Sequence, residues 1–395
     1  MKFFHKSNKI LTVLVISVFF VSCKESIKEQ YASQIIKLNP AKTELIRFSQ
    51  LFSSVEVFTF NNDNDVVYAR PTKIIVKNNL FYMLASKMIL VWNVNGELLL
   101  SISRIGNGPG EYIGINDFLV EDNGYIIVND NGGKKMIRYN EQGEYVNTIN
   151  HKLNSNNFTK IKNEFYINSG DLGGAQTEYK INVWDETKSI ITNRYIKKGK
   201  ESWYFGVLEY TNFSFFDDTL SYSQAFSNII YQLTDKAAIP RLVIDFGNNN
   251  LPKGYAEEFN DMISFMESFR SSNYASYIDD YLEGNNYLFL AYSCHGKKPF
   301  LFLSKEDNVA HHFDKFEDDF LFPGVIQNTG YLFLPVFMDE NALYFSIDAY
   351  RFIELYDSIK NSDDQKWENQ TLMKSIYDQI DENSNSLIIR YIIKK

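Results

Sequence analysis

Residues 106–112, with the sequence GNGPGEY, form the stretch whose side chains most resemble a ligand-contacting motif. Arg104 precedes the stretch and Glu111 and Tyr112 end it, which places a cation, a carboxylate and a phenol in one loop. Proline fixes φ and glycine permits positive φ, so the pattern predicts a rigid turn. The loop lacks the lysine and the spacing of a phosphate-binding loop. A structural role for this loop is one interpretation, with Arg104 and Glu111 expected to pair across the neck of the turn. The alternative is ligand contact, for which Arg104, Glu111 and Tyr112 are the candidate residues.

A second candidate is the aromatic cluster at Trp203, Tyr204 and Phe205, which lies among polar residues. Flat aromatic faces stack on sugars and on peptide side chains. Packing against a neighbouring structural unit would use the same residue types. Trp203 and Tyr204 are therefore predicted as ligand-binding residues, with packing as the alternative.

The sequence contains no recognisable catalytic or metal-binding motif. His311 and His312 are adjacent on a predicted strand, so their side chains point to opposite faces and do not share an ion easily. Asp130, Asp217 and Asp218 resemble possible calcium ligands but lie in separate units. There is no HExxH pattern and no nucleophile elbow. We predict no catalytic residue, no metal site and no cofactor, and we leave open the possibility of an enzyme.

The composition favours an acidic all-β protein. Aromatic residues make up 16% of the 395 positions, and aromatic side chains suit packed sheets. The formal net charge is −9. A surface of this charge argues against nucleic acid or an anionic membrane face as the main partner.

The N-terminus has the features of an export signal. Three lysines precede an apolar run at residues 10–21, which is too short for a comfortable transmembrane helix. The run ends at Ser22-Cys23, an arrangement that resembles a bacterial lipobox. The resemblance implies a signal peptide over 1–22, lipidation of Cys23 and a lipid-anchored tether over 23–50. The alternative is an ordinary signal peptide with an incidental cysteine.

An internal repeat predicts the architecture. Strand-like segments end at Trp92, Tyr139, Trp184 and Tyr231, at spacings of 47, 45 and 47 residues. A polar turn and another apolar run follow each of them, which is a hairpin pattern. Repeats of this length are typical of propellers and solenoids. The pattern therefore predicts four successive blades of a β-propeller.

The remaining segments predict two further blades and two insertions. Residues 300–303 match the repeated strand, and 253–276 before them have the apolar spacing of a helix. Residues 386–391 also match, after a second helical stretch at 350–382. The last blade lacks a fourth strand, so we expect residues 55–60 to supply it and close the ring.

The chain resembles the six-bladed β-propeller lipoproteins of Bacteroidetes, relatives of NHL-repeat propellers. The lipobox at Cys23, the loop 106–112, the blade at 117–149 and the final strand LIIRYIIKK carry this resemblance. It implies an all-β, six-bladed propeller over 51–395 and a location in the envelope. It brings no catalytic residues with it.

The predicted topology places the long connectors on one face of the ring, where binding sites usually occur. We therefore expect a binding or scaffold lipoprotein of the outer membrane, anchored by lipid on the periplasmic or cell-surface side. A glycan, a peptide or an envelope protein would dock on the face with the long loops. Membrane contact would occur only through the anchor. The alternative is a propeller hydrolase or lyase with acidic residues in the axial funnel, with or without calcium.

Overall fold

The computed structural model describes residues 34–61, 66–68, 70–170, 177–198, 212–224, 226–330, 333–360 and 367–394. These residues form six antiparallel blades arranged in a ring, with few helices, as the sequence predicts. The first strands of neighbouring blades contact one another around most of the axis. The fold class is therefore a six-bladed β-propeller.

The strands follow in chain order. Before the first blade come β1 (Gln34–Lys37), β2 (Glu44–Arg47), the one-turn helix α1 (Phe48–Leu51) and β3 (Phe52–Phe58). Blade 1 contains β4 (Lys73–Lys77), β5 (Leu80–Ala85), β6 (Met88–Asn93) and β7 (Leu98–Ile102). Blade 2 contains β8 (Asp117–Val120), β9 (Ile126–Asp130), β10 (Lys135–Tyr139) and β11 (Tyr145–Ile149). Blade 3 contains β12 (Asn157–Ile161), β13 (Glu164–Asn168), β14 (Tyr179–Asp185) and β15 (Ile190–Lys197).

The second half of the ring carries the helices. Blade 4 contains β16 (Phe213–Phe216), β17 (Thr219–Tyr222), β18 (Ile229–Leu233) and β19 (Ala238–Asp245). Two 3-10 turns (Gly247–Asn249 and Tyr255–Glu258) and helix α2 (Met262–Ser271) follow. Blade 5 contains β20 (Ala275–Glu283), β21 (Tyr287–Cys294), β22 (Phe300–Ser304), β23 (Ala310–Glu317) and the short β24 (Ile326–Asn328). Blade 6 contains β25 (Pro335–Met338), β26 (Ala342–Ile347), helices α3 (Ala349–Ile359) and α4 (Gln370–Tyr377), and β27 (Leu387–Ile393).

The tight turns have a local chemical cause that is repeated in blades 1 and 2. The Asn93 carboxamide oxygen accepts hydrogen bonds from the backbone N–H groups of residues 95 and 97, and Gly96 takes a φ of 79°. Asn140 makes the equivalent contacts in blade 2, where Gly143 has a φ of 76°. Positive φ is accessible to glycine without steric cost. These turns produce the hairpins that the sequence repeat predicts.

The ring closes through the N-terminal strand, as expected. β3 pairs antiparallel with β27, and Val57 lies opposite Ile389 in the register. The Lys394 N–H donates to the carbonyl of Leu51 beyond the end of the ladder. The closing strand spans Phe52–Phe58, a few positions before the predicted 55–60. Blade 6 therefore combines strands from both ends of the chain.

Part of the segment predicted as a tether packs on the ring. β1 lies parallel to β19 on the outer edge of blade 4, and β2 lies parallel to β23 on the outer edge of blade 5. Ile46 is fully buried there. The sequence pattern does not predict these two strands. Residues 34–47 therefore cover two blade edges that would otherwise present unpaired backbone groups.

Antiparallel strand order separates two faces of the ring. The connectors between blades and the turns between second and third strands emerge on the same face, which we call the loop face. It carries α2, between blades 4 and 5, and α3 and α4, between β26 and β27. Both predicted helical insertions are confirmed. The opposite face carries the short hairpin turns.

The largest core lies between blades 5 and 6 and is aromatic. Phe48 stacks on Phe316 at a ring-centroid distance of 4.8 Å and meets Tyr391 edge-on at 5.0 Å. Asp318 is fully buried in this core. One of its carboxylate oxygens accepts from the backbone N–H of Leu321, and the other accepts from the Tyr391 hydroxyl at 2.5 Å. Burial, only partly offset by these hydrogen bonds, raises the pKa of Asp318 to about 7.

Charged side chains connect the inner strands of blades 1 to 3. The Lys73 ammonium donates to one oxygen of Asp117 at 2.6 Å, and the other oxygen accepts from the backbone N–H of Phe158 at 2.9 Å. Each residue comes from a different blade. The contact therefore fixes three inner strands relative to one another.

A second ionic group joins blades 2 and 3. Arg138 contacts Glu121 and Glu186, each at 3.0 Å, and Lys160 contacts the same two carboxylates, with Glu186 at 3.1 Å. All four side chains are between 11% and 22% exposed. Two cations and two anions are thus matched in a mostly buried setting, where a missing partner is costly.

Candidate functional site

A cleft of about 590 Å³ opens between α2, the turn that joins β21 to β22, and the chain after β24. All three segments are connectors of the loop face. The cleft therefore lies on the face where the sequence predicts binding. Its volume is within the range of small-molecule pockets.

The floor of the cleft is formed by a two-residue hairpin turn. The N–H and C=O groups of Cys294 and Lys297 exchange two hydrogen bonds, at 3.0 and 2.9 Å. His295 and Gly296 between them have φ values of 48° and 72°. Positive φ at both central positions is characteristic of a type I′ turn, which favours glycine. The turn directs Lys297 and Lys298 to the cleft, which both residues line.

Helix α2 provides the opposite wall. Asp261 caps its N-terminus by accepting the Ser264 N–H at 2.9 Å. Phe265 is fully buried and meets Phe226 edge-on at a centroid distance of 4.7 Å, which fixes the helix on blade 4.

Three residues of α2 face the cleft, namely Met266, Phe269 and Arg270. Their spacing of three and four positions places them on one side of a helix. A hydrogen bond links this helix to the hairpin turn, because the Nδ1 atom of His295 lies 3.2 Å from the carbonyl oxygen of Ser272. A carbonyl can only accept, so Nδ1 donates. Helix α2 and the hairpin turn are therefore held together at the base of the cleft.

The cleft is cationic in an otherwise acidic protein. Arg270, Lys297, Lys298 and Lys315 line it, with Asp314 as the one carboxylate in the lining. Four cations and one anion leave a formal excess of three positive charges, against −9 for the whole chain.

Lys297 and Asp314 form an ion pair at 2.7 Å, and the other Asp314 oxygen accepts from the Thr43 hydroxyl at 2.8 Å. Burial alone would raise the pKa of Asp314, but the hydrogen bonds from Lys297 and Thr43 outweigh it and lower the pKa. Asp314 is therefore ionised at neutral pH, and Lys297 already neutralises it.

The loop 106–112 is held by its own side chains. The Glu111 carboxylate folds back and accepts the Gly108 N–H at 2.7 Å. Arg104 donates instead to the carbonyl of Gly143 at 3.0 Å and lies over the ring of Tyr139. Arg104 and Glu111 thus have different partners, and the expected pair across the neck is not among their contacts in the described structure. A ligand contact by either residue stays a prediction.

Tyr112 is fully buried beneath this loop. Its hydroxyl donates toward the carbonyls of Lys87 and Ile102, at 3.0 and 3.1 Å, and accepts the Arg104 N–H at 3.0 Å. These contacts give Tyr112 a structural role in joining the loop to blade 1. Its predicted role in ligand binding has no support from this geometry.

The other predicted site residues lie outside the described residues. These are the aromatic pair Trp203 and Tyr204 and the lipidation residue Cys23. Their roles stay predictions.

The acids considered as calcium ligands are far apart in the ring. Asp130, at the end of β9, accepts backbone N–H groups of Ile113, Gly114 and Gly133 on the loop face. Asp217 and Asp218 lie in the turn between β16 and β17, on the opposite face. Among the described residues, no three His, Cys, Asp or Glu side chains are close enough together to hold a metal ion.

Sequence reasoning identified the loop face but missed the residues of the cleft. Its cations come from α2, a hairpin turn and an outer strand, so no linear motif joins them. The one sequence feature that could have indicated the cleft is the pair Lys297-Lys298 directly after a His-Gly turn, because two adjacent cations stand out in a chain with a net charge of −9. Within the described residues, no helix combines the length and apolar character needed to cross a bilayer.

Many solved structures are similar to this chain, and three of them are described here. A Bacteroides fragilis protein described as exported aligns with a TM-score of 0.71 at 17% identity, covering 92% of this chain and all of that chain. A DUF4221 family member from Bacteroides vulgatus aligns with a TM-score of 0.48 at 13% identity, covering 87% of this chain and 98% of that chain. A virginiamycin B lyase variant from Staphylococcus aureus aligns with a TM-score of 0.43 at 12% identity, covering 74% of this chain and 96% of that chain. The first alignment shows a shared fold.

No curated protein matches the chain. The model of a domain of unknown function, DUF4934, matches residues 33–391, which include every blade of the ring. The chain therefore belongs to the DUF4934 family.

Proposed function

We propose that this protein is an envelope lipoprotein whose propeller binds a ligand in the cleft of the loop face. The observation that carries the proposal is the cleft of about 590 Å³ between α2 and blade 5. Its walls come from three connectors on a rigid ring, which is the usual arrangement of a binding site on a scaffold. The ligand is a glycan, a peptide or an exposed segment of an envelope protein.

The size of the cleft favours recognition of a compact group. Pockets of roughly 300–1,000 Å³ enclose small molecules, whereas protein–protein contacts usually involve broad surfaces. A glycan or peptide would therefore insert one or two units between Met266 and the Cys294–Lys297 turn.

The proposed location rests on the N-terminus and on the fold. The lipobox resemblance at Cys23 supports lipidation and an outer-membrane anchor, with membrane contact through the lipid alone. The similar Bacteroides fragilis protein is described as exported, which supports a location in the envelope. The proposal includes a distant relationship to NHL-repeat propellers. Labelled palmitate should enter the wild-type protein in cells and should not enter a Cys23→Ala variant; equal labelling would refute the anchor.

A thermal-shift screen on residues 24–395 tests the binding proposal, because this form retains every described residue. The screen would contain oligosaccharides, short peptides and small organic acids, amines and alcohols. A ligand present at 100 times its Kd stabilises the folded state by about 2.7 kcal/mol. For a domain of this size, that corresponds to a rise in Tm of about 3–4 °C.

Two glycine variants connect a hit to the cleft. Gly330 lines the cleft, and a Cβ atom built on it would meet no atom within 4 Å. Gly330→Trp should therefore place an indole in the cleft, with no clash at its Cβ atom, and abolish the Tm shift. Gly114 is also on the loop face, and a Cβ atom built on it would likewise meet no atom within 4 Å. It lies outside the cleft lining, so Gly114→Trp is the matched control. Hits that survive Gly330→Trp unchanged would refute the proposed site.

A further inference from the structure

We propose that the cleft selects an amphipathic organic anion, with a carboxylate or another oxyanion at one end and an apolar body at the other. This inference rests on the proposed binding function and narrows its ligand. A peptide end with a free carboxylate beside an apolar side chain belongs to this class, whereas a neutral glycan does not. The structural feature behind it is the combination of uncompensated cations and an apolar wall in a single cleft.

The cations of the cleft are not equivalent. Lys297 is neutralised by Asp314 at 2.7 Å. Arg270 and Lys315 both line the cleft, and among the described residues neither has a carboxylate within ion-pair distance. Asp314 interacts with Lys315 electrostatically, but the hydrogen bonds of this carboxylate go to Lys297 and Thr43. Both side chains are exposed, so their positive charges are available to an incoming anion. An oxyanion that contacts a guanidinium and an ammonium gains charge-assisted hydrogen bonds, which are stronger than neutral ones.

The apolar part of the cleft lies on α2. Met266 and Phe269 form this wall, one helical turn apart, and Cys294 lies on the other side. Burial raises the pKa of the Cys294 thiol, so this side chain stays neutral and behaves as a small apolar group. A fully hydrated inorganic ion would leave this wall without a partner. An acid with an aliphatic or aromatic body would cover it.

The charge of the whole protein limits the size of the anion. The chain carries a net charge of −9, so a long polyanion would be repelled outside the cleft. At 0.1 M ionic strength, salt screens charges that are more than about 10 Å apart. A small anion in the cleft would therefore interact mainly with Arg270 and Lys315, which it touches, whereas a long polyanion would also lie close to the acidic surface around the cleft. A small anion therefore fits the charge distribution better than a nucleic acid does.

Matched pairs of acids and amides test the inference with probes that differ only in charge. We would titrate residues 24–395 with hexanoate, decanoate, 4-phenylbutanoate and indole-3-acetate, and with the amide of each, by calorimetry and ligand-observed NMR. At least one acid should bind tenfold or more tightly than its amide. Its affinity should fall as NaCl is raised from 50 to 500 mM, while that of the amide should not.

The double variant Arg270→Gln/Lys315→Gln should reduce the preference for the acid to less than threefold. Its matched control is Arg351→Gln/Lys374→Gln, which removes an exposed arginine and lysine of α3 and α4 and changes the net charge equally. The control should retain the preference. Because all four side chains are partly or largely exposed, both double variants should fold, which circular dichroism verifies.

Each outcome separates the ligand class from the binding function. Equal affinity for acid and amide would overturn the inference while leaving a neutral ligand in the cleft. An acid preference that survives Arg270→Gln/Lys315→Gln would also overturn it, because the anion would then be bound elsewhere. Failure of all eight probes would overturn it as well. The binding function itself would still stand if a different screening hit were abolished by Gly330→Trp.

Discussion

Asp318 should make the stability of the propeller depend on pH in a direction unusual for an aspartate. Its carboxyl group is fully buried, and burial raises its pKa from 3.8 to about 7. In the unfolded chain the group ionises near pH 4, whereas in the folded chain it stays protonated until about pH 7. Its stabilising contribution is therefore complete below the unfolded pKa and is lost as the pH rises through the folded pKa.

The size of this effect follows from the shift. A difference of about 3 pKa units corresponds to about 4 kcal/mol, of which roughly 2.5 kcal/mol falls between pH 5 and pH 8. Asn in place of Asp318 cannot ionise, and its amide oxygen can still accept the Leu321 N–H. The free energy of unfolding of Asp318→Asn, relative to wild type, should therefore increase by roughly 2.5 kcal/mol from pH 5 to pH 8.

Urea unfolding followed by tryptophan fluorescence measures this difference. With an m-value of about 3 kcal/mol/M, the relative midpoint should move by about 0.8 M across the pH range. Asp261→Asn is the control. Hydrogen bonds from Ser264 lower the pKa of Asp261, so its contribution is lost only at acidic pH. The free energy of unfolding of Asp261→Asn should differ from that of the wild type by the same amount at pH 5 and at pH 8. A pH-independent difference for Asp318→Asn would refute the reasoning.

Three further predictions concern the scaffold. Glu121→Gln should lower the free energy of unfolding, measured with urea, by about 2 kcal/mol, because Arg138 and Lys160 would then share a single carboxylate. An unchanged urea midpoint would contradict this. Tyr112→Phe should cost about 1–3 kcal/mol, since buried backbone groups lose their partner, and a loss below 0.5 kcal/mol would contradict the structural role. Deletion of residues 50–61 should abolish cooperative thermal unfolding; an unchanged melting curve would contradict ring closure by β3.

The architecture could be predicted because each blade repeats the same local pattern. The predicted ends of the third strands, Trp92, Tyr139, Trp184 and Tyr231, lie within two residues of the observed ends, and a turn follows each strand. The repeat is therefore visible in one sequence. The missing fourth strand of blade 6 also predicted the use of β3. By contrast, β1 and β2 add to blade edges in parallel, without a hairpin, so no turn residue signals them.

The cleft could not be predicted for a related reason. Arg270, Lys297 and Lys315 are near one another because α2 packs through Phe265 on blade 4 and because the His295 turn contacts the end of that helix. Those contacts arise from tertiary packing and leave no periodic pattern. The motif 106–112 was conspicuous because its glycines and proline form a demanding turn, and its Glu111 and Tyr112 side chains are used to hold that turn.

The closure of blade 6 by both chain ends has a consequence for biosynthesis. Ser53 and Ile392 are in contact although 339 positions separate them. At a translation rate of about 5–20 residues per second, β3 would wait roughly 20–70 s for its partner strand to be made. Any prematurely terminated chain leaves this blade open and its edge exposed to proteases. Completion of the ring therefore requires that the polypeptide be synthesised through β27.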